Sequence, residues 1–169
     1  MTPPEHLTSP QSSTASAASI ASIASVVVAT AGSQTDQQRY DAFVQDFGIY
    51  IPFADFLGFE FVSSKDGHSV LAYQALDAHM NSFHVPHGGA LMTLMDVSMA
   101  NAARSVESGS RVVTIELKSS FFNPAKGLLK AYGSVLHRTK SMAFMETKIM
   151  DAQNVLCAHA TGTFRYVKP

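Results

Sequence analysis

Residues 81–104 read Asn-Ser-Phe-His-Val-Pro-His-Gly-Gly-Ala-Leu-Met-Thr-Leu-Met-Asp-Val-Ser-Met-Ala-Asn-Ala-Ala-Arg. A polar loop passes through Pro86 and two glycines and then becomes one long apolar helix. A chain with a single run of this kind has to organise its core around it. Inside the run stands one acid, Asp96. Residues three and four apart share a helix face, so Asp96 is flanked by Met92, Thr93, Met99 and Ala100. On such a face a carboxylate loses hydration and its pKa rises, which suits a proton acceptor or nucleophile. An acid at the rim of a core, satisfied by a nearby donor, fits the periodicity equally well.

Gly88 and Gly89 fall where the helix starts, and a helix N-terminus presents unpaired N–H groups at the positive end of a dipole. Such a site can hold a carbonyl oxygen that becomes negative in a transition state. The same glycines could simply allow close packing of the helix start. Gly89 and Asp96 are seven residues apart, about 10 Å along a helix. One acyl carbon does not easily touch both in the same chain. A two-fold dimer that sets the helix start of one subunit beside the acid of the other removes the difficulty.

These residues resemble the signature of hotdog-fold acyl-CoA thioesterases of the phenylacetate-pathway type, in which an asparagine precedes His-Gly-Gly by a short loop and an acid follows on the central helix. Asn81 lies six residues before His87, Asp96 nine after it, and His79 two before Asn81. His84 stands where many members have glycine, and Pro86 where many have an aliphatic residue. The resemblance covers about residues 50–166 and includes the Phe-Phe-Asn-Pro-Ala-Lys run at 121–126 and Arg138-Thr139-Lys140-Ser141.

The rest of the chain agrees with that architecture. With 169 residues, 46% hydrophobic, 15% charged and a net charge of −1, it suits one globular domain with an ordinary core. Residues 1–35 are Ser-, Ala- and Thr-rich and read as a disordered tail, without the positive n-region of a secretory signal or the length of a membrane span. From residue 36 onward Tyr40, Phe43, Val44 and Phe47 keep helical spacing, and Ile51, Phe53, Phe56 and Leu57 follow; both groups read as core. Strands are expected at 59–64, 69–76, 111–122, 128–137, 142–150 and 155–166. In 111–122, Val113, Ile115, Leu117 and Phe121 alternate with Thr114, Glu116, Lys118 and Ser120, which predicts that the first four face the helix. The fold class is therefore α+β, and the resemblance makes it a hotdog: an antiparallel sheet wrapped around one long central helix.

Several classes are disfavoured. There is no basic excess, zinc-finger spacing or aromatic-basic interleaving of a nucleic-acid binder. A single cysteine, Cys157, forms no internal disulfide framework, suggests a reducing compartment and sits in an alternating run as core. His79, His84 and His87 share a loop, but their spacing is better explained by a polar site than by a metal.

What the resemblance implies is hydrolysis of an acyl-CoA by a cytoplasmic, cofactor-free homodimer or tetramer with its active site at the subunit interface. It casts Asp96 as general base or nucleophile, Gly88 or Gly89 as the N–H that polarises the thioester carbonyl, and Asn81 and Thr114 as groups that orient carbonyl or water. It also places His87 and Met92 against substrate, and Arg138, Thr139, Lys140 and Ser141 near the nucleotide end of CoA. The acyl group is aryl or medium-chain. A non-catalytic acyl-CoA sensor would need no acid, and a hydroxyacyl dehydratase would carry His-Phe-Pro before the helix; both rank below hydrolysis.

Overall fold

The computed structural model describes residues 35–107 and 109–168. Two compact units divide at Arg39 and Tyr40. Of the first, only residues 35–39 are described, so the expected disordered tail lies outside the described residues except for Thr35. Thr35 starts α1 (Asp36–Phe47) with a reciprocal cap: its N–H donates to Gln38 Oε1 at 2.9 Å, and its Oγ1 accepts from the Gln38 N–H at 3.3 Å.

In the second unit Phe43 and Phe47 turn inward from α1, their rings stacked at 4.2 Å. There follow α2 (Pro52–Leu57), β1 (Phe59–Lys65), β2 (His68–Gln74), a 3₁₀ turn (Asp77–His79), α3 (Gly88–Arg104), β3 (Arg111–Phe121), β4 (Leu128–Arg138), β5 (Met142–Met150) and β6 (Leu156–Val167). The six strands form one antiparallel sheet in the order β1-β2-β4-β5-β6-β3. Helix α3 lies across it and packs on every strand. This is the hotdog arrangement.

The inward face of α3 carries Leu91, Leu94, Met95, Met99 and Ala102, all buried against Leu71, Leu129, Ala131, Met145, Ile149 and Phe164 of the sheet. The closest approach is polar. Ser69 Oγ donates to the Ser98 carbonyl at 2.7 Å and lies 3.1 Å from Ser98 Oγ, and the facing position on β4 is Gly133. At its other end α3 gives its last carbonyls to neighbouring elements: Ser64 Oγ donates to Asn101 O at 3.0 Å and Tyr166 Oη to Ala103 O at 3.1 Å. Acceptors left over at a helix C-terminus are thereby satisfied.

One expectation is corrected. A bulge at Ile115 interrupts the pairing of β3 with β6, between Thr114↔Phe164 and Glu116↔Thr163. Directly opposed residues in an antiparallel pair project to the same side. Thr114, Leu117 and Phe121 oppose Phe164, Gly162 and Ala158, all buried, and therefore face α3, while Val113 and Ile115 are 44% and 58% exposed. The extra residue exchanges the two faces of the strand ahead of it, which strict alternation does not foresee.

A methyl group on Gly133 would stand 2.6 Å from Ser98 Oγ and 2.8 Å from both Ser69 Oγ and the Ser98 carbonyl oxygen. Gly133→Ala is expected to cost about 1–3 kcal/mol by forcing the helix off the sheet, read as a fall in denaturation midpoint with an unchanged m-value.

Candidate active site

The loop that feeds α3 is built on Asn81. Its Oδ1 accepts from the Phe83 N–H at 2.8 Å and the Val85 N–H at 3.4 Å, its N–H donates to Val85 O at 2.9 Å, and its carbonyl accepts from His84 N–H at 3.0 Å. The side-chain oxygen is thus spent on the turn, and the amide nitrogen is the part of Asn81 left to meet a ligand. His84 takes φ 55°, the left-handed region that favours glycine, which gives a physical reason for glycine at this point of the signature. His79, buried, anchors the loop: its carbonyl accepts from His87 N–H at 2.9 Å, and its Nδ1 accepts from Leu76 N–H at 3.3 Å. Burial lowers the pKa of His79, so the ring is neutral at neutral pH.

His87 caps α3. Its Nδ1 accepts from the Gly89 N–H at 2.9 Å, and its carbonyl accepts from Ala90 and Leu91. Of the two glycines, Gly88 therefore keeps the N–H without a partner among the described residues, at the positive end of the helix. That N–H borders a cleft of about 560 Å³ lined by Asn81, Phe83, Gly88, Phe121, Phe122 and Lys126, among others. Asp96 does not line it. It lies eight residues beyond Gly88, about 12 Å along the axis.

Asp96 sits on the strip of α3 turned away from the sheet, with Met92 (41% exposed), Thr93 and Ala100. Met99, three residues on, is fully buried, with its Cε close to Gly162 of β6. Thr114 Oγ1 donates to Asp96 Oδ1 at 2.8 Å. Burial raises the pKa of Asp96, and the Thr114 hydrogen bond opposes that rise by favouring the carboxylate. The result is an oriented, partly desolvated acid whose second oxygen has no hydrogen-bond partner among the described residues.

The β4–β5 turn is elsewhere. Arg138 Nη1 donates to Glu107 Oε2 at 2.7 Å and to the Val106 carbonyl at 3.1 Å, and Thr139 Oγ1 accepts from the N–H groups of Ser141 and Met142. Arg138 is thus held beside the C-terminal end of α3, far from Gly88, while Lys140 and Ser141 are exposed. Within one chain the structure joins Asn81, His87, Gly88 and Gly89 at the helix start, joins Asp96 with Thr114 at mid-helix, and leaves 138–141 at the far end. Sequence reasoning did not assign Phe121, Phe122 and Lys126 to the cleft wall; their signal was the aromatic pair and cation in the 121–126 run. Among the described residues no cluster of three or more His, Cys, Asp or Glu is placed to hold a metal.

Two measurements follow from this geometry. The folded state holds the Asp96 proton more tightly than the unfolded chain does. This costs nothing where both states are protonated, and stability is lost as pH rises from the ordinary carboxylate range through the raised folded pKa. Asp96→Asn is accordingly expected to raise the melting temperature at neutral pH and leave it nearly unchanged at about pH 3, below the unfolded value. Relief of backbone strain by His84→Gly is expected to raise stability by about 0.5–1 kcal/mol, measured by chemical denaturation.

Known proteins resemble this chain in sequence and in fold. Residues 83–158 match the family model described as the thioesterase superfamily, a span that includes Gly88, Asp96, Thr114 and Arg138. A Saccharolobus solfataricus relative named "Putative esterase" is 28% identical over 111 residues, 65% of this chain and 74% of its own. Among solved structures, a conserved protein of Pseudomonas aeruginosa aligns at TM-score 0.67 and 25% identity, covering 79% of this chain and all of that one. The E. coli PaaI protein from the phenylacetic acid degradation operon aligns at TM-score 0.67 and 23% identity, over 78% and 92% of the two chains. The sheet and helix superpose on these solved structures, so the chain has the hotdog fold, and over residues 83–158 it is similar to the thioesterase superfamily.

Proposed function

We propose that this protein hydrolyses an acyl-CoA thioester, with an aryl or medium-chain acyl group, at sites shared between the subunits of a homodimer or of a tetramer built from such dimers. The observation that carries the reading is Asp96: a carboxylate with a raised pKa, oriented by Thr114, on the strip of α3 that its own sheet leaves uncovered. The superfamily match and the name of the archaeal relative support hydrolysis as the reaction class.

The chemistry then distributes over two chains. β3 is an edge strand whose outer side is unpaired, and it runs beside the uncovered strip of α3. A two-fold axis crossing that strip sets the helices antiparallel and brings the Gly88 N–H of one subunit toward Asp96 of the other. The thioester carbonyl oxygen accepts from Gly88, and Phe121 and Phe122 enclose the acyl chain in the cleft. Asp96, as general base, takes a proton from water as its oxygen attacks the carbonyl carbon. The negative charge that develops on the carbonyl oxygen is stabilised by the Gly88 N–H and the helix dipole. Collapse of the tetrahedral intermediate breaks the C–S bond, and the proton held by Asp96 leaves with the thiol. Attack by the Asp96 carboxylate itself, through an anhydride that water then opens, uses the same groups.

The test is thiol release from a panel of aryl- and medium-chain acyl-CoAs. Asp96→Asn preserves shape and is expected to lower kcat/KM by at least about 100-fold; activity retained in this variant, or no activity in the native protein, contradicts the proposal. Thr114→Val removes a bond that favours the ionised acid, so the acid limb of the kcat/KM profile is expected to move to higher pH.

A further inference from the structure

Two arginines near the C-terminal end of α3 have no acceptor among the described residues. Arg104, half-buried on the last turn, and Arg111, exposed at the start of β3, line a pocket of about 460 Å³ with Gly48, Ile49, Gly109 and Ser110. The Arg104 guanidinium lies so close over Gly48 that a Cβ there would come within 3.0 Å of Nη2, and Gly48 holds φ 68°. Among the described residues neither guanidinium makes an ion pair or hydrogen bond, in contrast to Arg138, which is taken up by Glu107 and Val106.

A structural role does not account for Arg104. A cation in the last turn of a helix is favoured by the dipole and commonly bonds the terminal carbonyls. Here two of those carbonyls accept from Ser64 and Tyr166 instead, and Arg104 donates to none. Asp46 lines the adjoining groove with Arg104 but is not within ion-pair distance. Burial disfavours the charged form of Arg104. A partly desolvated guanidinium without an acceptor is costly, and a second cation beside it adds to the cost. An oxyanion that accepts from both arginines removes both penalties at once.

We propose that this pocket binds a phosphate group through Arg104 and Arg111, with Ser110 as a neutral donor, and that the phosphate belongs to the carrier of the acyl group. The carrier assignment rests on the thioesterase reading; the phosphate site does not. Arg104 lies eight residues beyond Asp96 on α3, about 12 Å along the axis and about 80° round it, a span that an extended pantetheine arm covers. The phosphate contact thus shifts from Arg138, where the sequence placed it, to an adjacent pair of arginines whose donors are unspent.

The experiment has two arms on the full chain. Calorimetric titration with inorganic phosphate and with 3′,5′-ADP is run on the native protein, Arg104→Gln and Arg111→Gln, with melting temperatures to confirm folding; exposed Arg111 guards against a packing defect at Arg104. Binding is expected in the native protein and weaker by roughly tenfold or more in each variant. In the second arm each variant is expected to raise KM for an acyl-CoA roughly tenfold relative to the same acyl-pantetheine, which has no phosphate. No binding, or equal binding in all three proteins, overturns the site. Binding lost in the variants with an unchanged KM ratio identifies free phosphate as the ligand and overturns the carrier assignment. Failure to hydrolyse either substrate overturns the thioesterase reading alone, because the calorimetric arm still reads the phosphate site.

Discussion

Helix α3 meets its sheet most closely where Ser98 faces Ser69 and Gly133, a gap that admits no side chain on β4. That contact fixes the rotation of the helix about its axis. At about 100° per residue, a helix with Ser98 turned in carries Asp96, two residues earlier, some 200° round on the opposite side. Gly89, Met92, Thr93 and Ala100 lie within about 60° of the same outward direction, and Arg104 about 80° from it. One packing constraint inside the core therefore turns Asp96, with Met92, Thr93 and Ala100, to the side of α3 that its own sheet leaves uncovered. The acid is only partly desolvated by its own chain, through α3 itself and Thr114 of the edge strand. In the proposed dimer a second subunit laid on this side completes its enclosure, which gives the two-fold a chemical purpose beyond stability.

The sequence made the architecture readable because its signals were local and redundant. The long run after Gly88-Gly89, the turn compositions at 65–68, 138–141 and 151–154, and the alternating segments between them placed six strands and one long helix with ends mostly within two residues of those observed. Strand facing was less legible. A bulge is one residue inserted against a partner strand, and nothing in Thr-Ile-Glu announces it; the outcome was that Thr114, read on the outer face, points at Asp96. The loop was legible in identity but not in bonding. Asn81 and His87 were singled out as ligand groups, whereas Asn81 Oδ1 closes its own turn and His87 Nδ1 takes the Gly89 N–H. Those bonds depend on loop backbone angles, such as the positive φ of His84, that composition does not encode. Arg104 carries no signal in the sequence, since a basic residue ending a helix is ordinary, and only its lack of an acceptor among the described residues sets it apart.

The electrostatics of the site follow the helix as a ruler. Its N-terminus offers the Gly88 N–H, without a partner among the described residues, for developing negative charge. Its middle holds a carboxylate whose proton affinity is raised by burial and trimmed by one hydroxyl. Its C-terminus carries one cation, Arg104, which together with Arg111 of β3 has no acceptor among the described residues. Within a single chain the first and second are about 12 Å apart and cannot serve one carbonyl. Antiparallel apposition of two such helices brings them together twice, once at each end of the strip.

The most direct measurement is therefore subunit complementation. Gly88→Pro removes the N–H at the first helical position, where proline is tolerated and where His87 already has the extended backbone that a following proline requires. Asp96→Asn removes the base. Mixing the two inactive proteins under conditions of subunit exchange gives heterodimers with one intact donor and one intact acid facing each other across the interface. A shared site predicts recovery of about a quarter of native activity at equal mixing, since half the dimers are mixed and each has one working site. If each chain carried its own complete site, every combination would lack one of the two groups, and the absence of recovery with subunit exchange demonstrated would contradict the shared-site mechanism.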